Sequence, residues 1–182
     1  MGLSAIIKLS SAHARRRISH GEGIVMTIRY ANGADLKGVQ KLLSQVAEIH
    51  HRGRPDIFRA GTRKYTEDEL SVIFENPETP VYLAVDGENT VLGYAFCILR
   101  ETRGSTLLCD RKELYIDDLC VDETCRGRHI GTALYRHARE EAARLGCNAV
   151  TLNVWCLNDS AMAFYRSLGM APLKVVMEDP IS

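Results

Sequence analysis

Asp117 and Asp118 stand side by side in Tyr115-Ile-Asp-Asp-Leu119, closely followed by Val121-Asp-Glu-Thr-Cys-Arg126-Gly-Arg-His-Ile-Gly131-Thr132-Ala133. Two neighbouring carboxylates can hold a cation or draw a proton from it. The stretch after them joins an apolar strand pattern to a helical one through a glycine-bearing turn that carries Arg126 and Arg128. In such a turn the N–H groups of the first helical residues lack intrahelical acceptors, and the positive end of the helix dipole favours an anion. This is the arrangement of a pyrophosphate cradle. Alone, so short a motif also fits an ordinary strand–helix corner with two solvated arginines, and the surrounding sequence has to decide.

Downstream comes Leu152-Asn153-Val-Trp-Cys-Leu-Asn158-Asp-Ser-Ala161-Met-Ala-Phe164-Tyr165-Arg-Ser-Leu168-Gly169-Met, which reads as a strand, a polar cap and a short helix closed by glycine. With Arg126-Gly-Arg-His-Ile-Gly131 before it, the chain resembles the GNAT superfamily of acyl-CoA-dependent N-acyltransferases, whose pyrophosphate loop reads Arg/Gln-x-x-Gly-x-Gly/Ala. The resemblance runs from about residue 115 to residue 170 and extends back towards residue 27. One position departs from the pattern: His129 stands where the first glycine belongs. A positive φ would strain a histidine, so ordinary helical geometry with the imidazole pointing outwards is expected there.

The resemblance implies an α/β fold, a mixed, mostly antiparallel sheet of about six strands flanked by about four helices, with two central parallel strands splayed to admit acetyl-CoA. It implies transfer of an acetyl group from acetyl-CoA to a primary amine by direct attack in a ternary complex. Arg126, Gly127, Arg128, His129, Ile130, Gly131, Thr132 and Ala133 would then hold the pyrophosphate. The backbone of Leu119, Cys120 and Val121 would lie beside the pantetheine arm as beside an added strand. Asn158 would cap its helix and bond the arm, with Ala161, Phe164 and Tyr165 completing the cofactor-binding set. Tyr165 is the implied general acid for the departing thiolate; its alternative is a core tyrosine.

An alkylammonium has a pKa near ~10.4, so roughly one molecule in a thousand is nucleophilic at neutral pH. By the resemblance, Asp117 and Asp118 would hold the acceptor or draw its proton through water; the alternative is a solvated strand end or pairing with arginines. Adjacent strand residues point to opposite faces, so only one of the two faces the acceptor unless a bulge intervenes. Cys120 has no histidine pattern to activate it as a nucleophile. His50-His51 with Arg52 and Arg54 sits at a helix end, where cations are favoured in any case. A rival function is a catalytically silent acyl-CoA-binding regulatory module, which has no reason to keep Tyr165 and the aspartate pair. A phosphate-binding P-loop is disfavoured, since no lysine follows the glycines.

These residues need a scaffold, and 182 residues with 46% hydrophobic content suffice for one packed domain. Acidic and basic residues balance at 23 each, so no global field steers the chain to nucleic acid or an anionic membrane. The expected partners are acetyl-CoA and an amine, from a small molecule or from a peptide or protein, and the expected state is a monomer or homodimer. Six cysteines without a Cys-x-x-Cys pair read as reduced thiols of a cytoplasmic protein, not as a metal site. Residues 1–25 differ in composition from the rest and are expected as an N-terminal extension, disordered or not native to the protein, with a basic targeting arm as the alternative; the acetyltransferase domain would span 26–182. From residue 27 the pattern gives a strand, helices from Asp35 and after the Thr66–Glu69 capping box, and a hairpin across residues 86–89. Strands over 113–121, 149–155 and 173–177 alternate with helices over the apolar stripe Ile130, Leu134, Ala138, Ala142 and over 161–168. The regions 50–64 and 100–112, where acceptor loops would lie, match no signature.

Overall fold

The computed structural model describes the backbone of residues 16–20 and 24–181 and the side chains of residues 26–181. The chain divides into two compact units, Met1–Leu152 and Asn153–Ser182. The first is built on a six-stranded sheet in which the strands follow one another in chain order. β1 (Arg16–His20), β2 (Ile24–Tyr30), β3 (Val81–Val85), β4 (Val91–Thr102) and β5 (Arg111–Val121) are antiparallel neighbours, and β6 (Ala149–Leu152) pairs parallel with β5. The segment set apart by composition thus contributes β1, with Arg16 opposite Ile28, and residues 1–15 and 21–23 lie outside the described residues.

Helices cover both faces of this sheet. α1 (Leu36–Gly53) buries Val39, Leu42 and Leu43, and α2 (Glu67–Glu75) buries Leu70, all against Leu83, Val85, Tyr94 and Phe96. Truncating any of these leucines to alanine would cost about 2–5 kcal/mol. α2 starts where its capping box predicts: Thr66 Oγ1 accepts from the Glu69 N–H at 3.2 Å, and Glu69 Oε2 accepts from the Thr66 N–H at 2.7 Å. The opposite face takes α3 (Ile130–Arg144) through Ile130, Ala133, Leu134, Ala138 and Ala142. Successive strand residues face opposite ways. Accordingly Tyr94 joins the α1 side, while a Cβ on Gly93 would point at Leu134 and stand 2.7 Å from the Cys120 carbonyl oxygen. Only glycine permits that approach of β4, β5 and α3.

The parallel pair parts early. β6 hydrogen-bonds with β5 only between Ala149–Leu152 and Glu113–Ile116, while β5 continues to Val121. The strand expected over residues 173–177 does not form, and Leu173, Val175, Val176 and Met177 are exposed. A strand needs a hydrogen-bonding neighbour, and among the described residues the sheet ends at β6, so the splayed pair stands at its edge rather than at its centre.

Beyond β5 the chain is pinned before it turns. Asp122 accepts from the Thr124 N–H at 3.0 Å and its hydroxyl at 2.8 Å, and Lys41 of α1 reaches its other oxygen at 2.7 Å. Gln45, one turn along α1, accepts from the Glu123 N–H at 3.3 Å. Gly127 then takes φ 77° and His129 takes φ 59°, ψ 15°, immediately before α3. The helical geometry expected for His129 is therefore overturned. The first helical N–H groups are brought round by a left-handed residue, the conformation for which a glycine is the natural choice.

His129→Gly tests this strain. The left-handed region costs a non-glycine residue roughly 1–2 kcal/mol, offset by about 0.5–1 kcal/mol of extra chain entropy for glycine. Urea unfolding is expected to show a net gain of up to ~1 kcal/mol; a lowered midpoint would mean that contacts of the imidazole outweigh the strain. Lys41→Met tests the pin. The Lys41 hydrogen bond leads in holding the Asp122 carboxyl down at about 2. A depressed folded-state pKa gives stability that is complete above the unfolded value of about 3.9 and is lost as pH falls through the folded one. The stability difference between wild type and Lys41→Met is thus expected to be constant from pH ~5 to 8 and to shrink below about pH 4.

Candidate active site

The turn from Arg126 to His129 is exposed, as an anion site must be, and Ile130 and Ala133 behind it are buried. The His129 side chain makes no capping hydrogen bond to α3. Its first intrahelical bond runs from the Ala133 N–H to the His129 carbonyl, so the N–H groups of Ile130, Gly131 and Thr132 precede the helical ladder. Arg126 Nε donates to the Val121 carbonyl at 3.4 Å, which keeps its guanidinium beside the strand end.

Upstream, β5 holds the carboxylates. The register of β4 and β5 shifts between Phe96, opposite Asp118, and Cys97, opposite Ile116, leaving Asp117 as an extra residue. With this bulge both carboxylates reach one cation. Lys64 Nζ lies 2.8 Å from Asp117 Oδ2 and 3.7 Å from Asp118 Oδ2, and 5.3 Å from the centre of the Tyr65 ring. The Tyr94 hydroxyl donates to Asp118 Oδ2 at 3.0 Å. Burial pushes the Asp118 carboxyl above its usual range, against the pull of Lys64 and Tyr94. Burial alone would lower the Lys64 pKa, but Asp118 and Asp117 together carry it above the ordinary value. His50 of α1 feels the Asp118 charge, yet its pKa is lowered, chiefly by burial.

The other predicted positions on β5 are distributed as the strand dictates. Leu119 and Val121 are half-buried and available along the strand that β6 has left. Cys120 is buried, its thiol faces the Leu42 carbonyl at 3.9 Å, and burial pushes its pKa up to about 12. It is an inert core thiol, and only its backbone could serve a ligand.

In the second unit, α4 (Asp159–Ser167) is capped by Asn158, whose Oδ1 accepts from the Ala161 N–H at 3.1 Å. Phe164 and Tyr165 are half-buried, with ring centres 5.0 Å apart in an edge-on arrangement. Gly169, at φ 86°, follows the helix end.

Sequence reasoning passed over Lys64 and Tyr94. No local signal marks them: Lys64 is separated from Asp117 by 53 positions and Tyr94 from Asp118 by 24, so only the fold brings them together. The cations at the end of α1 are engaged locally, with Arg52 on Glu48, Arg54 on Asp56 and His51 Nδ1 at the Phe58 carbonyl. A shallow cavity of about 430 Å³ lies at the far end of the β4–β5 ladder, bounded by Thr102, Leu108, Asp110 and Arg111, away from the turn and the carboxylates. Among the described residues no group of three histidines, cysteines or carboxylates is placed to hold a metal ion, and no helix is long and apolar enough to cross a membrane.

Residues 43–170 match the family model of the acetyltransferase (GNAT) family. The uncharacterized N-acetyltransferase MJ1207 of Methanocaldococcus jannaschii is 41% identical over 66 residues, which span 36% of this chain and 29% of that relative's length. The crystal structure of a mutant BH1408 protein from Bacillus halodurans superposes with a TM-score of 0.82 at 34% identity, covering 85% of this chain and 99% of the other. Glucosamine-6-phosphate N-acetyltransferase from Arabidopsis thaliana shares the fold at a TM-score of 0.64 and 19% identity, over 87% of this chain and 99% of its own. The aminoglycoside N-acetyltransferase AAC(6')-Iy, solved in complex with CoA, shares it at 0.64 and 14%, over 90% and 99%. The matched residues include the left-handed turn before α3, the bulged β5 and α4, and the chain belongs to the acetyltransferase (GNAT) family.

Proposed function

We propose that the protein transfers an acetyl group from acetyl-CoA to a primary amine by direct attack in a ternary complex. One observation carries this reading: β5 past Ile116 has an edge that β6 has left, and that edge leads from the carboxylate pair at one end to the start of α3 at the other. At about 3.3 Å per residue, Asp117 to Val121 spans roughly 13 Å, enough for an extended amide-bearing arm. The pyrophosphate sits on the N–H groups of Ile130, Gly131 and Thr132, with Arg126, Gly127, Arg128, His129 and Ala133 around it. The arm takes the edge of Leu119, Cys120 and Val121 by strand-like hydrogen bonds. Asn158, Ala161 and Phe164 complete the cofactor contacts.

The acceptor arrives as an ammonium, and Asp117 and Asp118 hold it and take its proton. The buried, upward-shifted carboxyl of Asp118 is the better proton acceptor of the two. Nitrogen then attacks the thioester carbon, the carbon–sulfur bond breaks, and the Tyr165 hydroxyl supplies the proton that ends on sulfur. Preorganised charge at the pair supports an enzyme over a silent acyl-CoA-binding module.

Acetyl-CoA at a hundred times its Kd is expected to stabilise the protein by about 2.7 kcal/mol. Differential scanning fluorimetry reads this directly, and an unchanged Tm with saturating acetyl-CoA and CoA would defeat the proposal. Gly131→Glu, which puts an anion where a phosphate belongs, should remove the shift. Tyr165→Phe keeps the ring and loses the proton. With an amine identified by a thiol-release screen, kcat should fall roughly 10- to 1000-fold while the CoA dissociation constant changes little. Equal turnover in the two proteins would leave Tyr165 a packing residue.

A further inference from the structure

The carboxylate pair already holds an amine of the protein itself. Lys64 lies in the irregular segment between α1 and α2, and its ammonium is bounded by Asp117 Oδ2 at 2.8 Å, Asp118 Oδ2 at 3.7 Å and the Tyr65 ring. An ammonium between two carboxylates and over an aromatic face is favourably held. Its side chain is still 37% exposed, so the nitrogen is not sealed into the core. Lys41 provides a contrast: it too is paired with a carboxylate, Asp122, and is 65% exposed, but it sits at the other end of the β5 edge, beside the turn.

We propose that Lys64 is a modification site of the protein's own making: without another amine, the chain acetylates Lys64 Nζ in cis. The inference rests on the acetyltransferase reading above, since the amine that the pair holds is the amine that is acetylated. The ammonium gives one proton to the carboxylate of Asp118 and thence to solvent. The freed lone pair attacks the thioester carbon, a carbon–nitrogen bond forms, the carbon–sulfur bond breaks with its electrons on sulfur, and the second nitrogen proton ends on the thiol. The products are one Nε-acetyl-lysine and one CoA. Acetylation removes the charge, so the product amide cannot keep the ion pair, and the carboxylates become available to an external amine. The reaction is thus limited to one event per chain.

The test uses the full chain with acetyl-CoA and no added amine, followed by intact mass and peptide mapping against time. One acetyl group at Lys64 is expected, with an equal amount of CoA thiol and a first-order rate independent of protein concentration. The rate at Lys64 should exceed that at Lys41 at least ~10-fold, and Asp117→Asn should slow it by about 10-fold, a modest fraction of a general-base contribution. Lys64→Arg should abolish the mass increment while keeping the thermal shift with acetyl-CoA. A shift with acetyl-CoA but no preference for Lys64 over Lys41, or a rate indifferent to Asp117→Asn, overturns this inference and leaves the acetyltransferase reading intact. Absence of the thermal shift overturns both.

Discussion

Between Phe96 and Cys97, β4 advances by one residue while β5 advances by two. A regular ladder would send Asp117 and Asp118 to opposite faces of the sheet, one towards α1 and one away. The extra residue turns them to a common side, where one lysine reaches both. It also bends β5 and increases its local twist, the usual effect of a bulge. The last hydrogen-bonded residue opposite β6, Ile116, comes directly before it. The pairing of charges and the parting of the strands therefore happen at the same point of the chain.

The far end of that edge is held by different means. An ion pair and a hydrogen bond fix it: Lys41 of α1 pairs with Asp122 and Gln45 accepts from the Glu123 N–H, so the helix that packs one face of the core also anchors the turn that leaves it. Backbone strain completes it, since His129 keeps a left-handed conformation with which a histidine sits uneasily. The two ends are thus supported by one shared scaffold, in which the absence of a Cβ at Gly93 lets β4, β5 and α3 approach closely.

Much of this was legible in the residues. Thr66 and Glu69 announced α2, Asn158 and Gly169 bracketed α4, and the apolar stripe of α3 matched its buried face. These are local signals: a side chain bonding backbone three residues away, a glycine at a helix end, or an apolar period within one helix. Where local signals failed, distant partners had decided. Ile49 keeps helical periodicity but is 41% exposed, whereas the buried residues of α1, Val39, Leu42 and Leu43, lie in its first half. The average preference of histidine points to helical geometry at position 129, whereas the turn dictates its φ. The pattern over 173–177 alternates like a strand yet has no neighbour to bond. Lys64 could not have been found, because nothing about a lysine in a polar loop states which carboxylates it will meet.

The sequential order of the strands has a bearing on how the chain comes together. Each of the first five strands neighbours the next one in the sequence, and the β3–β4 and β4–β5 pairs close through short connections, so little loop entropy opposes their zippering. Topologies rich in such local pairings fold fast. β6 is the exception, for it lies beyond α3 in the chain and pairs with β5 in parallel, across a longer connection. The core antiparallel sheet, with its carboxylates and their lysine, can therefore assemble before the strand whose departure opens the edge has docked. On this account a partly unfolded chain loses the β5–β6 pairing first and the carboxylate–lysine cluster last, and amide hydrogen exchange would rank the protection of β6 below that of β4.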